Sequence, residues 1–558
     1  GVSGFQVHVG SDKVYTPGDK CDVLVAMNPA ALKTQYKFCK PQSVIIIDTD
    51  SFTKRDLEKA QFQLENPFSE LGIKNEVVEA AITTMCKESL KDSGLDNKTI
   101  MRTKNMFALG LVCWLFHRDI TIGEKLLREK FAKKPEIAEA NVKVLHDGYH
   151  FGENTHASIS TSYTVPTKKA MQPGRYMDIN GNKAAAYGLI AAAEKSGLQL
   201  YLGSYPITPA TDILHELAKH KSLGVKTVQC EDEIAGCASA VGAAFAGALA
   251  VTTTSGPGVC LKSEAMNLAV ITELSLVIID VQRGGPSTGL PTKSEQTDLL
   301  QALYGRNGES PMPVIAATSP TDCFDAAFMA CKIAVEHMTP VILLSDAYIA
   351  NGSAAWHLPN LNDYPAIVPP YVKPEMAGSW TPFQRNPQTG VRYWATPGMK
   401  GFMHRIGGLE KSNETGAIST EPENHNLMTR LRAEKVERIA ASIPDLEVEG
   451  DADADLLIVG FGGTYGHLHS AMDAMNRHGK KAALAHFKFI NPLPRNTEAV
   501  LRRYKKIVVA EQSMGQFAGY LRMKIEGLHL HQFNQVKGQP FVVKELVDAF
   551  ERILASDM

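Results

Sequence analysis

Between Met177 and about Ala350 the chain repeats one pattern: a short apolar run, a turn, then a longer segment with apolar residues at helical spacing. The runs "LQLYLG", "VKTVQ", "ALAVTTT", "LSLVIID" and "PVILLSD" have strand length, and "KAAAYGLIAAAEK" and "EIAGCASAVGAAFAGA" are the plainest helical segments. Strands and helices alternating over short connections leave little choice of architecture. The strands line up parallel, and the helices cover both faces of the sheet. Sheets of this kind bind ligands beyond the carboxyl ends of their strands. The loops leaving those ends therefore carry whatever chemistry the domain performs.

Four such loops follow in order: "SYPIT", "CEDE", "SGPG" and "QRGGPSTG", one after each of the first four runs. They are expected to share one edge. Together they offer a stiff corner, a carboxylate cluster (Glu231, Asp232, Glu233), a Gly-rich turn and an arginine. That arginine, Arg283, directly follows a buried strand, where a guanidinium can hold a carboxylate through two parallel bonds. The inventory suits an anionic substrate. Each member also has a plainer explanation. In "GSYPITPATDILHELAKH", Thr208 fits the N-cap and Pro209 the first position of a helix, so the threonine could simply cap. The acids could complement a helix dipole. "TSGPG" could be only a turn, and the small residues after Glu233 could serve tight helix packing.

Residues 1–150 hold two strand-like runs, "CDVLVAMN" and "SVIIIDTD", and helical patterns around Phe107–His117 and Gly123–Lys133, which read as a smaller α/β domain. From about Asp147 the sequence turns polar and rich in turn residues, and a linker is expected over 151–176. The parallel-sheet domain covers 177–370. Residues 371–452 read as a connecting segment, Pro-, Gly- and Asn-rich at first, with one exposed helix at "RAEKVERIAASI". Alternation resumes over 453–558 in "ADLLIVGFGG", "KAALAHFKF" and "KKIVVAEQS", a third α/β domain. A formal net charge of −2 over 558 residues argues against a nucleic-acid or membrane-surface role. No apolar run is long enough to span a bilayer, and no signal peptide is evident. The chain starts at Gly1 rather than Met, so the true N-terminus is expected to have been removed, processed or left out.

Nine cysteines are scattered without CxxC spacing, at Cys21, Cys39, Cys86, Cys113, Cys230, Cys237, Cys260, Cys323 and Cys331. They read as free thiols of a reducing cytoplasm, and any iron–sulfur ligands are expected on another chain. "GFGGTYG" (Gly460 to Gly466) tempts a dinucleotide reading. Its spacing is imperfect, and no acid closes "KAALAHFKF" to hold a ribose, so a tight strand–helix turn is expected instead. His467/His469 and His529/His531 have no evident carboxylate or cysteine partner. These and His146, His150 and His156 are read as solvated or satisfied rather than metal-binding.

At the motif level, "YPITPAT", "EDEIAGCASAVGAAFAGALAVTTTSGPG" and "QRGGPSTGLPTKSEQTDL" resemble the α subunit of 2-oxoacid:ferredoxin oxidoreductases. So do "GGLEKSNETGAISTEPENH" and "GFGGTYGHLHSAMDAMNRHGKKAALAHFKFINPLP", while residues 1–150 look like the family's γ domain fused ahead of α. The resemblance covers nearly the whole chain in the family's order. It departs at the start, because the γ domain usually opens on a Gly-rich strand–turn–helix that is not in this sequence. The implied fold is three α/β domains, with a pyrimidine-type thiamine-enzyme domain over 177–370 and a transketolase C-terminal-like domain over 453–558.

The resemblance implies oxidative decarboxylation of a 2-oxoacid with thiamine diphosphate and coenzyme A, electrons passing through iron–sulfur clusters to ferredoxin. It implies a β subunit that carries the magnesium and diphosphate motif and the 4Fe–4S ligands, two αβ pairs in a heterotetramer, and half an active site here. Carried over by position, Glu233 would bond the aminopyrimidine nitrogen of thiamine, and Thr208 and Arg283 would hold the oxoacid carboxylate. Tyr205, Pro206 and Ile207 would shape the wall, and Ser255, Gly256 and Gly258 would line the cofactor side. The wording is most like the 2-oxoglutarate type. Pyruvate or branched-chain oxoacids, or a non-catalytic assembly role, stay open at this point.

Overall fold

The computed structural model describes residues 2–155, 161–167, 172–451 and 453–556. Two compact units divide the chain, residues 1–171 and 172–558. In the first, three parallel strands form a sheet in the order β1–β2–β3: β1 (Cys21–Ala26), β2 (Cys39–Asp48) and β3 (Val77–Ala80). The half of β2 from Ser43 onward is fully buried, which is why "SVIIID" reads as one apolar block.

The stretch from Asp147, expected to be turn-rich, is helical through Thr155. Its glycines are not turn signals. A Cβ on Gly148 would strike the Phe107 carbonyl, and one on Gly152 would meet the Trp114 ring, at 2.6 Å from Cε3. Spaced four apart on one face, they let the Pro135–Thr155 helix lie against the Lys104–Leu115 helix at backbone distance. His146 bonds Glu124 and His150 bonds Glu153, so both are satisfied. His156 lies outside the described residues.

The second unit opens with β4 (Tyr176–Asn180) and continues through β5 (Leu200–Ser204), β6 (Lys226–Gln229), β7 (Leu249–Thr254), β8 (Leu276–Gln282), β9 (Val314–Ala316), β10 (Pro340–Asp346) and β11 (Ser353–His357). β12 (Val448–Gly450), β13 (Leu456–Phe461), β14 (Ala482–Phe487), β15 (Phe489–Asn491), β16 (Ile507–Glu511) and β17 (His531–Asn534) follow. The main sheet has seven strands in the order β15–β9–β10–β8–β7–β5–β6, all parallel but β15. β7, β8 and β10 are buried along their whole length, as strands covered on both faces must be. A five-stranded sheet, β12–β14–β13–β16–β17, is parallel except at β12. The α/β class expected from the alternation is the class observed.

One expectation holds only in part in the connecting segment. The charged helix, Pro422–Arg438, is exposed along one face as expected, but Met428, Arg432, Lys435 and Val436 are buried on the other. Its cations turn inward to meet carboxylates. Arg432 pairs with Glu410 at 3.2 Å and Lys435 with Glu273 at 2.6 Å. Partners distant in sequence made a buried charge look like a solvated one.

Candidate active site

Strands β6, β5, β7 and β8 are parallel neighbours, so the four loops inventoried above leave the same edge of the sheet. The corner after β5 is built differently from expectation. Thr208 does not cap a helix. The helix starts at Thr211, with Ala210 at the cap position. The Thr208–Pro209 peptide is cis, and the N–H groups of Ala210 and Thr211 both donate to the Ile207 carbonyl, at 2.8 and 3.0 Å. Pro209 is buried and its carbonyl accepts from Asn182 Nδ2, while Thr208 stays exposed. The plain capping explanation for Thr208 therefore falls away.

Arg283 comes to this corner from β8. Its Nη1 donates to the Thr208 carbonyl at 2.7 Å. The side chain is 8% exposed, and its Nε is a buried donor without a partner. A guanidinium held this way keeps donor capacity in reserve beside an exposed threonine. Tyr205 is exposed, while Pro206 and Ile207 are half-buried, with Ile207 packed on the core.

Glu233 begins the helix that follows β6, and Asp232 caps that helix by accepting from Ala235 N at 2.7 Å. The three acids thus divide: Asp232 is the cap, Glu231 is exposed, and half-buried Glu233 turns toward the β7 loop. A Cβ on Gly258 would sit 2.9 Å from Glu233 Cγ and would drive into the Thr254 hydroxyl, so glycine is required there for Glu233 to lie where it does. Lys262 Nζ, wholly buried, donates to the Glu233 carbonyl at 3.1 Å and to Thr254's strand neighbour Thr252 at 2.9 Å. The small residues of the helix also serve packing, since Gly236 lies 3.1 Å, measured from its ideal Cβ, off the Ser204 backbone. Ser255 is fully buried at the start of the Gly256–Leu261 helix, and its hydroxyl has no partner.

A buried acid pair behind the β7 loop was not anticipated. Asp280 stands in register with Thr254 across β7 and β8, and both its oxygens are buried without a partner. Asp298 lies beside it and would meet a Cβ on Gly256 at 2.7 Å. Burial pushes both carboxyls up, Asp298 to about 6; Asp298 raises Asp280 further, while Asp280 and Arg283 hold Asp298 down against burial and Glu295. Both carboxyls are therefore favoured in the neutral, protonated form, which contributes stability to the fold. A folded-state value above the unfolded one means that this stability is full below about pH 4 and is lost as pH rises through the raised values. Asp280→Asn supplies a permanent donor. Its unfolding free energy should fall less than that of the parent between about pH 4 and pH 8, as measured by denaturant titration across pH. Equal slopes would show that the pair does not titrate in this range.

The Gly-rich turn after β13 is occupied by protein. A Cβ on Gly463 would collide with the Asp346 carboxylate, and Gln296 Nε2 donates to the Phe461 carbonyl at 2.7 Å. This is the tight packing turn expected from the sequence. His469 does have carboxylates near it, Glu449 and Asp473, each at 3.4 Å, contrary to expectation. Among the described residues no three His, Cys, Asp or Glu side chains converge as a metal site, and no helix is long and apolar enough to cross a membrane.

Known proteins match along the whole chain. Residues 1–151 fit the family model described as pyruvate ferredoxin/flavodoxin oxidoreductase. Residues 192–422 fit the pyruvate flavodoxin/ferredoxin oxidoreductase, thiamine diphosphate-binding model, and residues 454–546 fit core domain II of pyruvate:ferredoxin oxidoreductase. The 2-oxoglutarate oxidoreductase subunit KorA of Mycobacterium tuberculosis is 50% identical over 98% of this chain and 83% of its own length. The 2-oxoglutarate synthase subunit KorA of Archaeoglobus fulgidus is 34% identical over 61% of this chain and 88% of its own. A solved 2-oxoglutarate:ferredoxin oxidoreductase from Magnetococcus marinus, with 2-oxoglutarate, coenzyme A and succinyl-CoA bound, superposes with a TM-score of 0.84 at 29% identity, covering 98% of this chain and 90% of that one. Identity at this level over 98% of the chain shows the family: it belongs to the 2-oxoacid:ferredoxin oxidoreductases, as an α subunit with a γ-type domain at its N-terminal end.

Proposed function

We propose that this chain is the substrate-holding half of a cytoplasmic 2-oxoglutarate:ferredoxin oxidoreductase, which converts 2-oxoglutarate and coenzyme A reversibly to succinyl-CoA and carbon dioxide and reduces ferredoxin. The observation that carries the reading is the convergence of the Thr208 corner, Arg283, Glu233 and the Gly258 turn on one edge of the sheet. The substrate named for the relatives supports the choice of oxoacid. The residues fit thiamine diphosphate: Gly258 lets Glu233 lie close against the β7 loop, and the buried Ser255 hydroxyl lacks a partner. When bound, that cofactor supplies the carbon nucleophile and the electron sink for decarboxylation.

The chain's own residues do the rest. Glu233 would hold a proton against the aminopyrimidine ring nitrogen, and Ser255, Gly256 and Gly258 would lie on the cofactor side. Thr208 and Arg283 orient the oxoacid carboxylate, and Tyr205, Pro206 and Ile207 exclude water from it. A β subunit completes the site with magnesium, diphosphate ligands and a 4Fe–4S cluster, in an (αβ)2 assembly. Tyr205, Val228, Ile234 and Leu261 are exposed apolar side chains on the very elements that carry the site, as a surface awaiting a second chain would have.

The test is a panel of oxoacids offered to the αβ complex, with dye reduction as readout. 2-Oxoglutarate should have the highest kcat/KM. In the same assay Arg283→Ala should raise KM for 2-oxoglutarate by about tenfold or more, through loss of a charge-assisted contact. A preference for pyruvate overturns the substrate assignment. An unchanged KM removes Arg283 from the pocket.

A further inference from the structure

Cys21 and Cys39 are separated by 17 intervening residues and share no motif, yet they open neighbouring strands of the N-terminal sheet as direct partners in the ladder. The register shifts between Cys21 and Val23, so the pair lies at the irregular start of the ladder. Their sulfurs lie 3.9 Å apart. Neighbouring strands are spaced about 4.8 Å apart, inside the range of Cα separations a disulfide accepts. Rotation about the two Cα–Cβ bonds brings the sulfurs toward bonding distance. Cys39 is buried, while Cys21 is partly open to solvent. One sulfur is thus placed to meet a small oxidant, and the other to resolve the product from behind.

We propose that Cys21 and Cys39 form a peroxide-oxidisable dithiol that closes to a reversible disulfide within the N-terminal unit. In the first step Cys21 thiolate attacks one oxygen of hydrogen peroxide. The S–O bond forms, the O–O bond breaks, and hydroxide leaves and takes up a proton as water, so the sulfur is oxidised by two electrons to a sulfenic acid. In the second, the Cys39 sulfur attacks Cys21 sulfur. The S–S bond forms, the S–O bond breaks, and the Cys39 proton leaves with hydroxide as a second water. Two thiols and one peroxide become one disulfide and two waters, and an external dithiol restores the pair.

The electrostatics agree on which sulfur attacks. The hydrogen bond from the Cys39 thiol holds the Cys21 thiol down to about 7, against burial, with Asp22 opposing and Lys40 assisting. The same bond, together with burial, pushes Cys39 up, with Ser43 and Lys20 opposing. Asp22 and Lys40 largely cancel because they pair with each other at 2.7 Å. Cys260 is the exposed competitor on the chain, and burial raises its thiol instead. Weighing thiolate fraction against the lower nucleophilicity of a more acidic thiol, Cys21 should react several-fold faster than Cys260 near neutral pH.

The experiment treats the αβ complex with one equivalent of hydrogen peroxide near neutral pH, then alkylates it and maps its peptides without reduction. A cross-linked peptide pair carrying Cys21 and Cys39, with the loss of two hydrogens' mass and return of both thiols after dithiothreitol, is the expected result. Cys39→Ser should leave a sulfenic acid at Cys21 that dimedone traps. Should that variant fold poorly, the wild-type peptide map decides alone. Oxidation of Cys260 ahead of Cys21, or Cys21 advancing to sulfinic acid while Cys39 stays alkylatable, overturns the proposal.

Discussion

Glu233→Gln in the αβ complex is expected to lower kcat by two to four orders of magnitude with assembly intact. That is the range a positioned proton-transferring side chain contributes. The substitution is chosen because it changes little else. Glutamine has the same length, so the contact between Cγ and the Gly258 turn survives, and the helix cap belongs to Asp232 rather than Glu233. Lys262 bonds the main-chain carbonyl of Glu233, which the substitution leaves in place. A loss of turnover therefore reports on the carboxyl itself. Glu231→Gln is the control: two residues away, exposed, and expected to leave kcat within a factor of about two, as surface substitutions do. Steady-state kinetics with saturating thiamine diphosphate, together with size-exclusion chromatography of the complex, separates the outcomes. Turnover within tenfold of the parent would end the assigned role for Glu233.

What the chain shows before folding follows a physical divide. The runs that became β7, β8 and β10 are buried on both faces, so their composition alone announces them. The loops after them then have nowhere to go but the sheet edge. That is how Thr208, Glu233, Ser255 and Arg283 could be placed together from order alone. Short strands escaped. β9 and β15 are three residues each, too brief for any periodicity; β9 is held by the longer β10, and β15 adds at the edge beside β9. The polar interior escaped as well. Asp280 lies within a strand that reads as apolar, and Asp298 sits in a loop. Lys435 and Arg432 belong to a helix whose charge pattern is that of a solvated one. Proline grammar also misled locally: "ITPAT" has the form of a capped helix start, but the cis peptide at Thr208–Pro209 turns the chain first and delays the helix to Thr211.

The buried charge at Glu273 carries the largest expected effect on stability. Glu273 ends the Ser263–Thr272 helix in a left-handed conformation and is 1% exposed. Its carboxylate takes Arg385 through both guanidinium Nη atoms and Lys435 at 2.6 Å, while its carbonyl accepts from Arg392 Nε at 2.9 Å. Burial alone would push this carboxyl up, but Lys435 and Arg385 outweigh it and hold it well below the ordinary carboxylate range. Three buried cations face a single carboxylate, and the surplus shows in Lys435. Burial, assisted by Arg385 and Arg392, brings its ammonium down to about 8 even with Glu273 in contact. Removing the anion leaves the buried Lys435 ammonium and the Arg385 guanidinium without their carboxylate. Glu273→Gln is therefore expected to cost about 3–5 kcal/mol, the loss typical of breaking a buried pair from one side. Lys435→Met should cost much less, since it removes surplus charge, keeps the aliphatic length and leaves the two-pronged Arg385 contact, at the expense of one bond to the Met338 carbonyl. The contrast between the two variants is the prediction. Urea midpoints of the full chain, followed by the fluorescence of buried Trp394, should fall far more for Glu273→Gln than for Lys435→Met. Equal losses would mean that the carboxylate is one packing group among several and does not hold this cluster together.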